Sequence, residues 1–395
     1  MTSATAERSL LAGPPKKKAP DSPKLVRVAR EHGVSPFAQF GQILSFQMRR
    51  TGLHASEYYD FELYHPRYDA GARAQFLGAL GSRRLNLRLS PRALHKHFDL
   101  MDDKALFSVL LTGLGLQTTQ TQAVVDVSRA FGRLPVLREV ASIRDFLTQQ
   151  ARYPLFAKPA FGSLSVGSAL IEAVTPDGET LRLGNGRTVA LEAFAQEILK
   201  FHGQSGFLFQ SAVRQHPALT AVAGPALGTI RVVTVTEEAS QPRVLYVLWK
   251  IPSPAAMSDN FWQSGSMLAN VDLDTGEVLG CRQGTGLETT QVENHPVSGK
   301  PITGTCLPFW SEVKALAEQA HAVFPNAGVM GWDIGLSEDG PVIVEGNNGP
   351  HHTLYQLATG EGILNPRFAP VFDQIAARQA ASVKSRKSAR SSKRK

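Results

Sequence analysis

The sequence is poor in cysteine and has no long apolar run. Its 395 residues include two cysteines, Cys281 and Cys306, and two thiols cannot build a disulfide framework. Neither lies in a CxxC or Cys/His ligand spacing, so we expect both to be buried thiols in a reducing compartment. No uninterrupted apolar stretch approaches membrane-spanning length, and none follows the lysines near the N-terminus. We therefore predict no membrane span and a cytoplasmic location.

Acidic residues are missing from positions 384 to 395, which hold seven basic residues. Residues 1 to 24 hold five basic and two acidic residues, so subtracting both ends from the total of +8 leaves −2 for the body. A nearly neutral body offers no basic face to a phosphate backbone, and we predict no nucleic-acid binding by it. Residues 1 to 24 and 381 to 395 are predicted to be disordered basic tails. A tether to nucleic acid or anionic lipid is the alternative role for these tails.

The chain contains neither an internal repeat nor a GxGxxG fingerprint at a strand-to-helix junction. Residues 25 to 100 have a mainly helical pattern. Residues 101 to 212 and 213 to 380 instead alternate short β-rich runs with single helices. This alternation predicts two α+β lobes with antiparallel sheets rather than a doubly wound parallel sheet. The predicted helices include residues 142 to 150, 191 to 202, 312 to 324 and 368 to 380.

A predicted hairpin at residues 331 to 349 carries acidic side chains. Residues 338 to 340 suit a three-residue loop, which sets Asp333 opposite Glu345. One face is then apolar and consists of Trp332, Ile334, Leu336, Val342 and Val344. The other face carries Asp333, Glu345 and Asn347, with Gly335 and Ile343 nearer the turn. Three oxygen ligands on a rigid hairpin predict a site for Mg²⁺, and a solvent-facing polar strand is the alternative.

A lysine ends the apolar strand predicted over residues 155 to 158 and precedes a loop of small residues. Lys158 would be poorly paired among its apolar neighbours unless an anion binds. The backbone amides around Gly162 and Ser163 can form an anion-binding concavity beside it. The order of these residues differs from that of a P-loop, in which the lysine follows the glycines. The alternative is a β-turn beside a lysine whose amine reaches water.

Three further basic residues lie in or next to predicted elements. Arg231 and Lys250 belong to β-rich runs, and Lys104 opens a predicted helix after an acidic cap. Together with the acidic hairpin, these cations favour a phosphoryl-transfer site, because that chemistry needs a metal and cations around one γ-phosphate.

The order and spacing of these elements resemble the ATP-grasp superfamily, and most closely the sugar-transfer-associated family related to α-L-glutamate ligases. The resemblance covers about residues 50 to 375. It is carried by residues 57 to 59, 103 to 104, 156 to 159, 229 to 232, 260 to 265, 272 to 276, 295 to 299, 307 to 310, 331 to 333 and 345 to 347. It implies an ATP-grasp fold, in which two α+β lobes hold ATP between them after a helical N-terminal region.

The resemblance also implies roles for the site residues. The nucleotide-binding residues would be Lys104 and Lys158 on the α- and β-phosphates, Gly162 and Ser163 in a flap over the triphosphate, and Gln210 to Val213 as a hinge that reads adenine. Gln210 departs from the glutamate that is more frequent at this hinge. Arg231 and Lys250 would face the γ-phosphate or an acyl phosphate. Asp333, Glu345 and Asn347 would hold Mg²⁺, expected as two ions.

The reaction implied by the resemblance is attack of a substrate carboxylate on the γ-phosphate, followed by capture of the acyl phosphate by an amine. Its setting would be polysaccharide, cell-envelope or peptide-like metabolite biosynthesis. The alternatives are phosphoryl transfer to a sugar or polyol hydroxyl, and a non-catalytic ATP-binding module. We expect His351 and His352 to contact the substrate, and His295, which precedes Pro296, to stabilise a turn.

Overall fold

Two seven-stranded sheets form the framework of a computed structural model. The model describes residues 23 to 48, 51 to 94, 98 to 162, 166 to 238, 241 to 254, 256 to 259 and 263 to 392. The first sheet contains β1 to β7, which are Thr121–Val125, Val136–Leu137, Leu155–Pro159, Ala169–Val174, Thr180–Leu183, Thr188–Ala190 and Phe207–Ser211. The second sheet contains β8 to β14, which are Ile230–Glu238, Gln241–Ile251, Met267–Val271, Val278–Gln283, Thr290–Gln291, Val329–Ser337 and Gly340–Asn347.

The helices precede, separate and follow these strands. Those described, α1 to α13, are Lys24–His32, Pro36–Met48, Ala55–Asp60, Ala70–Ala74, Ala79–Leu89, Phe98–Asp102, Lys104–Gly113, Val140–Asp145, Leu191–His202, Pro217–Ala223, Trp310–Ala322, Thr353–Thr359 and Ala369–Ser392. A π-helical turn, Phe146–Gln150, continues α8. Helix α9 matches its predicted bounds because Leu191, Phe194, Ala195 and Ile198 form one buried stripe.

Antiparallel pairing dominates both sheets, as the alternation of strands and single helices predicts. The first sheet has the order β2-β1-β7-β3-β4-β5-β6, and β1 with β2 is its parallel pair. The second has the order β12-β11-β10-β9-β8-β13-β14, and its pairs are antiparallel. The architecture is therefore α+β, with one sheet in each predicted lobe.

The helical N-terminal region covers one face of the second sheet. Its aromatic side chains, including Tyr58 and Phe76, share a core with Val233 and Leu248 of β8 and β9. Helices α12 and α13 complete this layer. Helices α7, α10 and α11 pack on the opposite face of the sheet. Residues 25 to 100 thus build part of the core of the second sheet.

The hairpin of β13 and β14 differs from its predicted register near the turn. Ser337 pairs with Gly340, so the turn has two residues, at 338 and 339, rather than the predicted three. The pair Asp333 and Glu345 nevertheless forms as predicted. A β-bulge between this pair and the turn explains how a two-residue turn and the predicted pair coexist. The bulge adds one residue to β14, and this residue compensates for the one that the turn lacks.

The bulge moves three side chains of β14 to the face opposite the predicted one. Val342 was predicted to lie on the apolar face opposite Leu336, yet it pairs with Gly335. Ile343 was predicted to lie on the polar face, yet it is buried in the core with Trp332 and Ile334. Val344 was predicted to lie on the apolar face, yet it lines the cavity described below. Simple alternation fails here because the bulge shifts the two-residue period of the strand by one residue.

The C-terminal helix α13 extends to Ser392, well beyond residue 380, where the predicted helix ends. Residues 381 to 392 are therefore helical, contrary to the disordered tail predicted over 381 to 395, and residues 393 to 395 lie outside the described residues. Arg386 Nη1 donates to the carbonyl of Ala93 at 3.1 Å, which ties this segment to the N-terminal region. Although α13 has 24 residues, no helix in the described part of the chain is both long and apolar enough to cross a bilayer.

The two cysteines differ in exposure. Cys281 is buried in β11, and burial raises the pKa of its thiol to about 12. Cys306 is exposed, contrary to the expectation that both thiols are buried.

Candidate active site

A cavity of about 520 Å³ lies between the two sheets and is lined by residues of both. Ten of the eleven site residues predicted from the sequence line it, and the eleventh, Ser163, lies outside the described residues. The ten are Lys104, Lys158, Gly162, Gln210, Val213, Arg231, Lys250, Asp333, Glu345 and Asn347. The structure therefore brings together side chains that are up to 243 residues apart in sequence, from Lys104 to Asn347.

An ion-pair cluster occupies three neighbouring strands of the second sheet. Arg231 of β8 lies opposite Asp333 of β13, and its Nε and Nη2 donate to the two carboxylate oxygens at 2.5 and 3.0 Å. Lys250 Nζ, from β9, lies 3.1 Å from Asp333 Oδ2. Burial raises the pKa of Asp333, but the charges of Arg231 and Lys250 outweigh it and hold that pKa well below its usual range. The carboxylate is therefore ionised.

Asp259 is a member of this cluster that the sequence analysis missed. Its Oδ2 lies 2.8 Å from Lys250 Nζ and accepts the hydroxyl of Thr229. Asp259 also lines the cavity. The signal in the sequence was its position directly before the motif at residues 260 to 265.

Lys158 is a buried cation that has no partner among the described residues. It lies in β3 with its side chain pointing to the cavity, and the residue is 6% exposed. It makes no hydrogen bond or ion pair with any described residue. Burial lowers the pKa of its ammonium to about 8, although the Glu345 carboxylate opposes this shift. Such an environment favours the binding of an anion, which would provide the missing partner.

Lys104 contacts both the loop that follows β3, at Gly162, and the hairpin of β13 and β14, at Glu345. It is the first residue of α7, whose N-terminus is capped by the carboxylate of Asp103. Lys104 Nζ donates to the carbonyl of Gly162 at 2.7 Å and lies 3.4 Å from Glu345 Oε1. The helix can approach β14 closely because residue 346 is a glycine. A Cβ at this position would lie 2.5 Å from the ring of Phe107.

The segment that leaves β7 forms the apolar end of the cavity. Gln210 is buried, and its Nε2 donates to Thr121 Oγ1 at 3.0 Å, so its side chain is fixed to the first sheet. The backbone amide and carbonyl of Val213 have no hydrogen-bond partner among the described residues. Phe156 and Leu227 line the cavity beside them. Apolar walls next to free backbone groups suit a flat heterocycle with hydrogen-bonding edges.

The predicted metal ligands supply oxygen atoms that are suited to Mg²⁺. Among the described residues, Glu345 forms an ion pair with Lys104 only. Asn347 Nδ2 is buried and has no hydrogen-bond partner among the same residues. Asp333 already accepts three contacts from Arg231 and Lys250. Within the described ranges, no three His, Cys, Asp or Glu side chains converge on one point. A cation held here would take few protein ligands, as Mg²⁺ commonly does when phosphate and water complete its shell.

The two histidines after β14 have different environments. His351 lines the cavity, and burial together with Arg231 lowers the pKa of its imidazole. His352 does not line it, contrary to the expected substrate contact. His352 is fully buried, its ring nitrogens lie 2.9 Å from Asn86 Oδ1 and 3.0 Å from Tyr246 Oη, and burial lowers its pKa to about 3. His352 is therefore a neutral structural side chain.

Helix α5 of the N-terminal region holds the loop that carries these histidines. Asn86 Nδ2 donates to the carbonyl of Pro350 at 2.9 Å, and Ser82 Oγ accepts the amide of His352 at 3.2 Å. The N-terminal region therefore fixes one wall of the cavity. His295 has the expected turn role, because its Nδ1 accepts two backbone amides, from residues 297 and 298, at 3.4 Å.

A family model described as "Sugar-transfer associated ATP-grasp" matches residues 82 to 369. No individually curated protein matches the sequence.

Comparison with solved structures gives matches to ligases and to a carboxylase domain at low identity. The D-alanine–D-alanine ligase from Coxiella burnetii is 11% identical with a TM-score of 0.43, and the match covers 75% of this chain and 62% of that one. The VanG D-Ala:D-Ser ligase from Enterococcus faecalis is 11% identical with a TM-score of 0.42, covering 71% and 62%. The biotin carboxylase domain of 2-oxoglutarate carboxylase from Hydrogenobacter thermophilus is 14% identical with a TM-score of 0.38, covering 71% and 46%. The chain thus spans about three fifths of the length of either ligase.

Proposed function

The chain belongs to the sugar-transfer associated ATP-grasp family, and on this premise we propose that it is a Mg-ATP-dependent ligase. It would activate a carboxylate as an acyl phosphate and transfer the acyl group to an amine. The observation that carries the proposal is the buried ammonium of Lys158, which has no partner in the part of the chain that the structure describes. Three more cations, Lys104, Arg231 and Lys250, line the same cavity, and a polyphosphate would satisfy all four.

The proposed nucleotide lies with its adenine at the segment that leaves β7. The backbone amide and carbonyl of Val213 would bind the edge of the ring, between the apolar side chains of Phe156 and Leu227. The triphosphate would then extend past Lys158 and Lys104 toward the cluster on the second sheet. This direction is supported by the change in the cavity wall from apolar to cationic.

Glu345 and Asn347 would hold Mg²⁺, with a remaining lone pair of Asp333 as a further ligand. When bound, the cation neutralises charge on the β- and γ-phosphates and orients the γ-phosphate. The expectation of two ions comes from the family resemblance, and a metal titration would test it. The main role of Asp333 in the proposal is to orient Arg231 and Lys250.

The proposed reaction has two displacements. A carboxylate oxygen attacks the γ-phosphorus, the bond to the β–γ bridging oxygen breaks, and ADP leaves with that electron pair. Arg231 and Lys250 would stabilise the charge that develops on the transferred group. An amine then attacks the acyl carbon, the carbon–oxygen bond to phosphate breaks, and phosphate leaves while the nitrogen loses a proton. These steps need positioning and charge neutralisation more than a dedicated acid or base.

The test measures ADP release by the purified full-length chain over a panel of carboxylates and amines, with product masses. Hydroxylamine should trap the activated carboxylate as a hydroxamate. A phosphorylated sugar or polyol without a hydroxamate would establish the rival phosphotransferase. Nucleotide binding without substrate-dependent ADP release would establish a non-catalytic module. The masses would also test the proposed setting in polysaccharide, cell-envelope or peptide-like metabolite biosynthesis.

Two variants test the proposed site. Asp333→Asn and Lys158→Ala should each abolish turnover, and Lys158→Ala should also abolish Mg-ATP binding. Unchanged binding and turnover in both variants would show that the site assignment is wrong.

A further inference from the structure

Helix α2 presents its polar side chains to the protein. Gln39 is fully buried, and its Nε2 donates to the carbonyls of Leu25 and Val34 at 3.1 and 2.7 Å. Its Oε1 accepts the hydroxyl of Tyr59 at 3.0 Å. Gln42 Oε1 accepts the hydroxyl of the neighbouring Tyr58 at 2.7 Å in the same way. These bonds fix the rotation of the helix about its axis.

Two further contacts hold the same orientation. Gln47 Nε2 donates to the carbonyl of Leu53 at 3.0 Å. Phe46 is buried in the core of the N-terminal region, and Ile43 packs against that core. Rotating α2 to bury its outer face would break these hydrogen bonds and leave buried groups unpaired.

The outer face of α2 is apolar. Phe37 is 90% exposed, Phe40 66%, Leu44 47% and Met48 74%. Steps of three, four and four residues place these side chains on one stripe of the helix. The 13-residue helix contains no charged residue. Phe37 is the most exposed of the large hydrophobic side chains in the described part of the chain. A contiguous exposed apolar face of this kind marks an interaction surface.

The size of this face argues against a dimer formed through α2 alone. A 13-residue helix is about 20 Å long and about 10 Å wide. A stable protein interface buries roughly 800 Å² of each partner, which is several times the footprint of this stripe. Insertion at a lipid surface has no such minimum area, since acyl chains surround each side chain individually.

The chain around α2 is basic. The first 50 residues contain nine basic and three acidic side chains, so they carry +6 of the total charge of +8. The basic ones are Arg8, Lys16, Lys17, Lys18, Lys24, Arg27, Arg30, Arg49 and Arg50, and the acidic ones are Glu7, Asp21 and Glu31. This charge complements an anionic surface, and stable binding of a membrane surface needs such a second contribution besides a small apolar anchor.

We propose that α2 binds an anionic membrane surface, lying in its plane. Phe37, Phe40, Leu44 and Met48 enter the boundary between headgroups and acyl chains, and the net positive charge of the first 50 positions attracts the chain to the anionic headgroups. The surface is separate from the cavity between the sheets, because none of the four apolar residues lines that cavity. The inference therefore does not depend on the proposed ligase activity.

Sedimentation of the full-length chain with lipid vesicles tests the proposal. The protein should sediment with vesicles of phosphatidylcholine mixed with phosphatidylglycerol, and at least about tenfold less with phosphatidylcholine alone. The double variant Phe37→Gln, Phe40→Gln should reduce binding to the anionic vesicles at least about tenfold. Replacing Lys16, Lys17 and Lys18 by Gln should weaken binding and reduce its sensitivity to salt.

The matched control is the double variant Leu279→Gln, Val297→Gln, which removes two exposed hydrophobic side chains from another part of the surface and should bind like the wild type. Thermal unfolding should show that all variants are folded. Absence of wild-type binding to anionic vesicles, or equal binding by the Phe37, Phe40 variant, would overturn the proposal. So would a solution dimer that this variant converts to a monomer, because a second copy would then occupy the face.

Discussion

Arg231 and Asp333 face each other across neighbouring strands, and the guanidinium holds both carboxylate oxygens of its partner. Because the arginine fork is planar and bidentate, this pair fixes Asp333 more firmly than a lysine could. Lys250 and Asp259 extend the pair into a buried network of alternating charge. Removing one charge from such a network leaves its partners uncompensated.

We therefore expect Asp333→Asn to lower the free energy of unfolding by about 3 kcal/mol in the absence of nucleotide. Arg231→Gln should lower the free energy of unfolding by a similar amount. The double variant Asp333→Asn, Arg231→Gln should lower it by much less than the sum of the two single effects, because neither charge is then left without its partner. Urea unfolding of the four proteins measures this coupling. Additive effects of the two substitutions would contradict a specific ion pair.

Lys158 lowers the stability of the ligand-free protein. Its pKa of about 8 in the folded state lies below the ordinary 10.5, so the unfolded chain holds the proton more tightly. The resulting loss of stability is complete below pH 8 and disappears as the pH rises from about 8 to about 10.5. Lys158→Met should stabilise the protein at pH 7 by up to about 3 kcal/mol and abolish nucleotide binding.

Urea unfolding at pH 7 and pH 10 checks this prediction. The stabilisation by Lys158→Met should shrink at the higher pH. The exposed Lys300 provides the matched control, because Lys300→Met should have little effect at either pH. A loss of stability in Lys158→Met at pH 7 would show that Lys158 has a structural partner.

The same group makes nucleotide binding sensitive to pH. Phosphate binds the protonated form of Lys158, and this form declines as the pH rises above about 8. The Kd for Mg-ATP should therefore increase above pH 8 by up to about tenfold per pH unit. Lys158→Arg keeps its charge throughout this range and should bind with a flat profile, although more weakly. Calorimetric titrations between pH 7 and 9.5 compare the two, and parallel profiles would contradict the role of Lys158.

The fold could be predicted from sequence to the level of its lobes. The family match and the two antiparallel-rich sheets confirm the predicted ATP-grasp fold and the helical N-terminal region. Motif order also identified ten residues that line the cavity. The bulge in β14 was not predictable, since alternation indicates which residues face inward but not where one residue is added.

Contacts between residues that are distant in sequence were the main feature that could not be predicted. The aromatic residues at positions 46 to 76 indicate burial, but nothing in them identifies the face of the second sheet that buries them. Asp259 was missed because a lone acid in a loop gains meaning only from Lys250, a strand residue that lies beside it in space. The end of α13 was missed because composition cannot reveal a contact such as that between Arg386 and Ala93.

Glu345 is the proposed metal ligand whose carboxylate forms a single ion pair among the described residues, with Lys104. Glu345→Gln removes the charge and one strong oxygen donor, so the Mg²⁺ concentration for half-maximal Mg-ATP binding should rise at least about tenfold. The turn of the same hairpin offers a control in the exposed Asp339, and Asp339→Asn should leave the Mg²⁺ requirement unchanged. Magnesium titrations at fixed ATP measure both. An unchanged requirement in Glu345→Gln would remove Glu345 from the ligand set.

Asn86 connects the N-terminal region to the loop of His351. Its amide accepts from His352 and donates to the carbonyl of Pro350, so Asn86→Leu leaves two buried groups unpaired and should cost about 2 kcal/mol of stability. His351 of this loop lines the cavity, and we propose that the substrate binds beside it. We therefore expect KM for the carboxylate or amine to rise at least about tenfold, with the Kd for Mg-ATP unchanged within about twofold. Arg83→Ala, on the exposed side of the same helix, should change neither. Equal losses of nucleotide and substrate binding in Asn86→Leu would indicate general unfolding rather than a loop held in place by the N-terminal region.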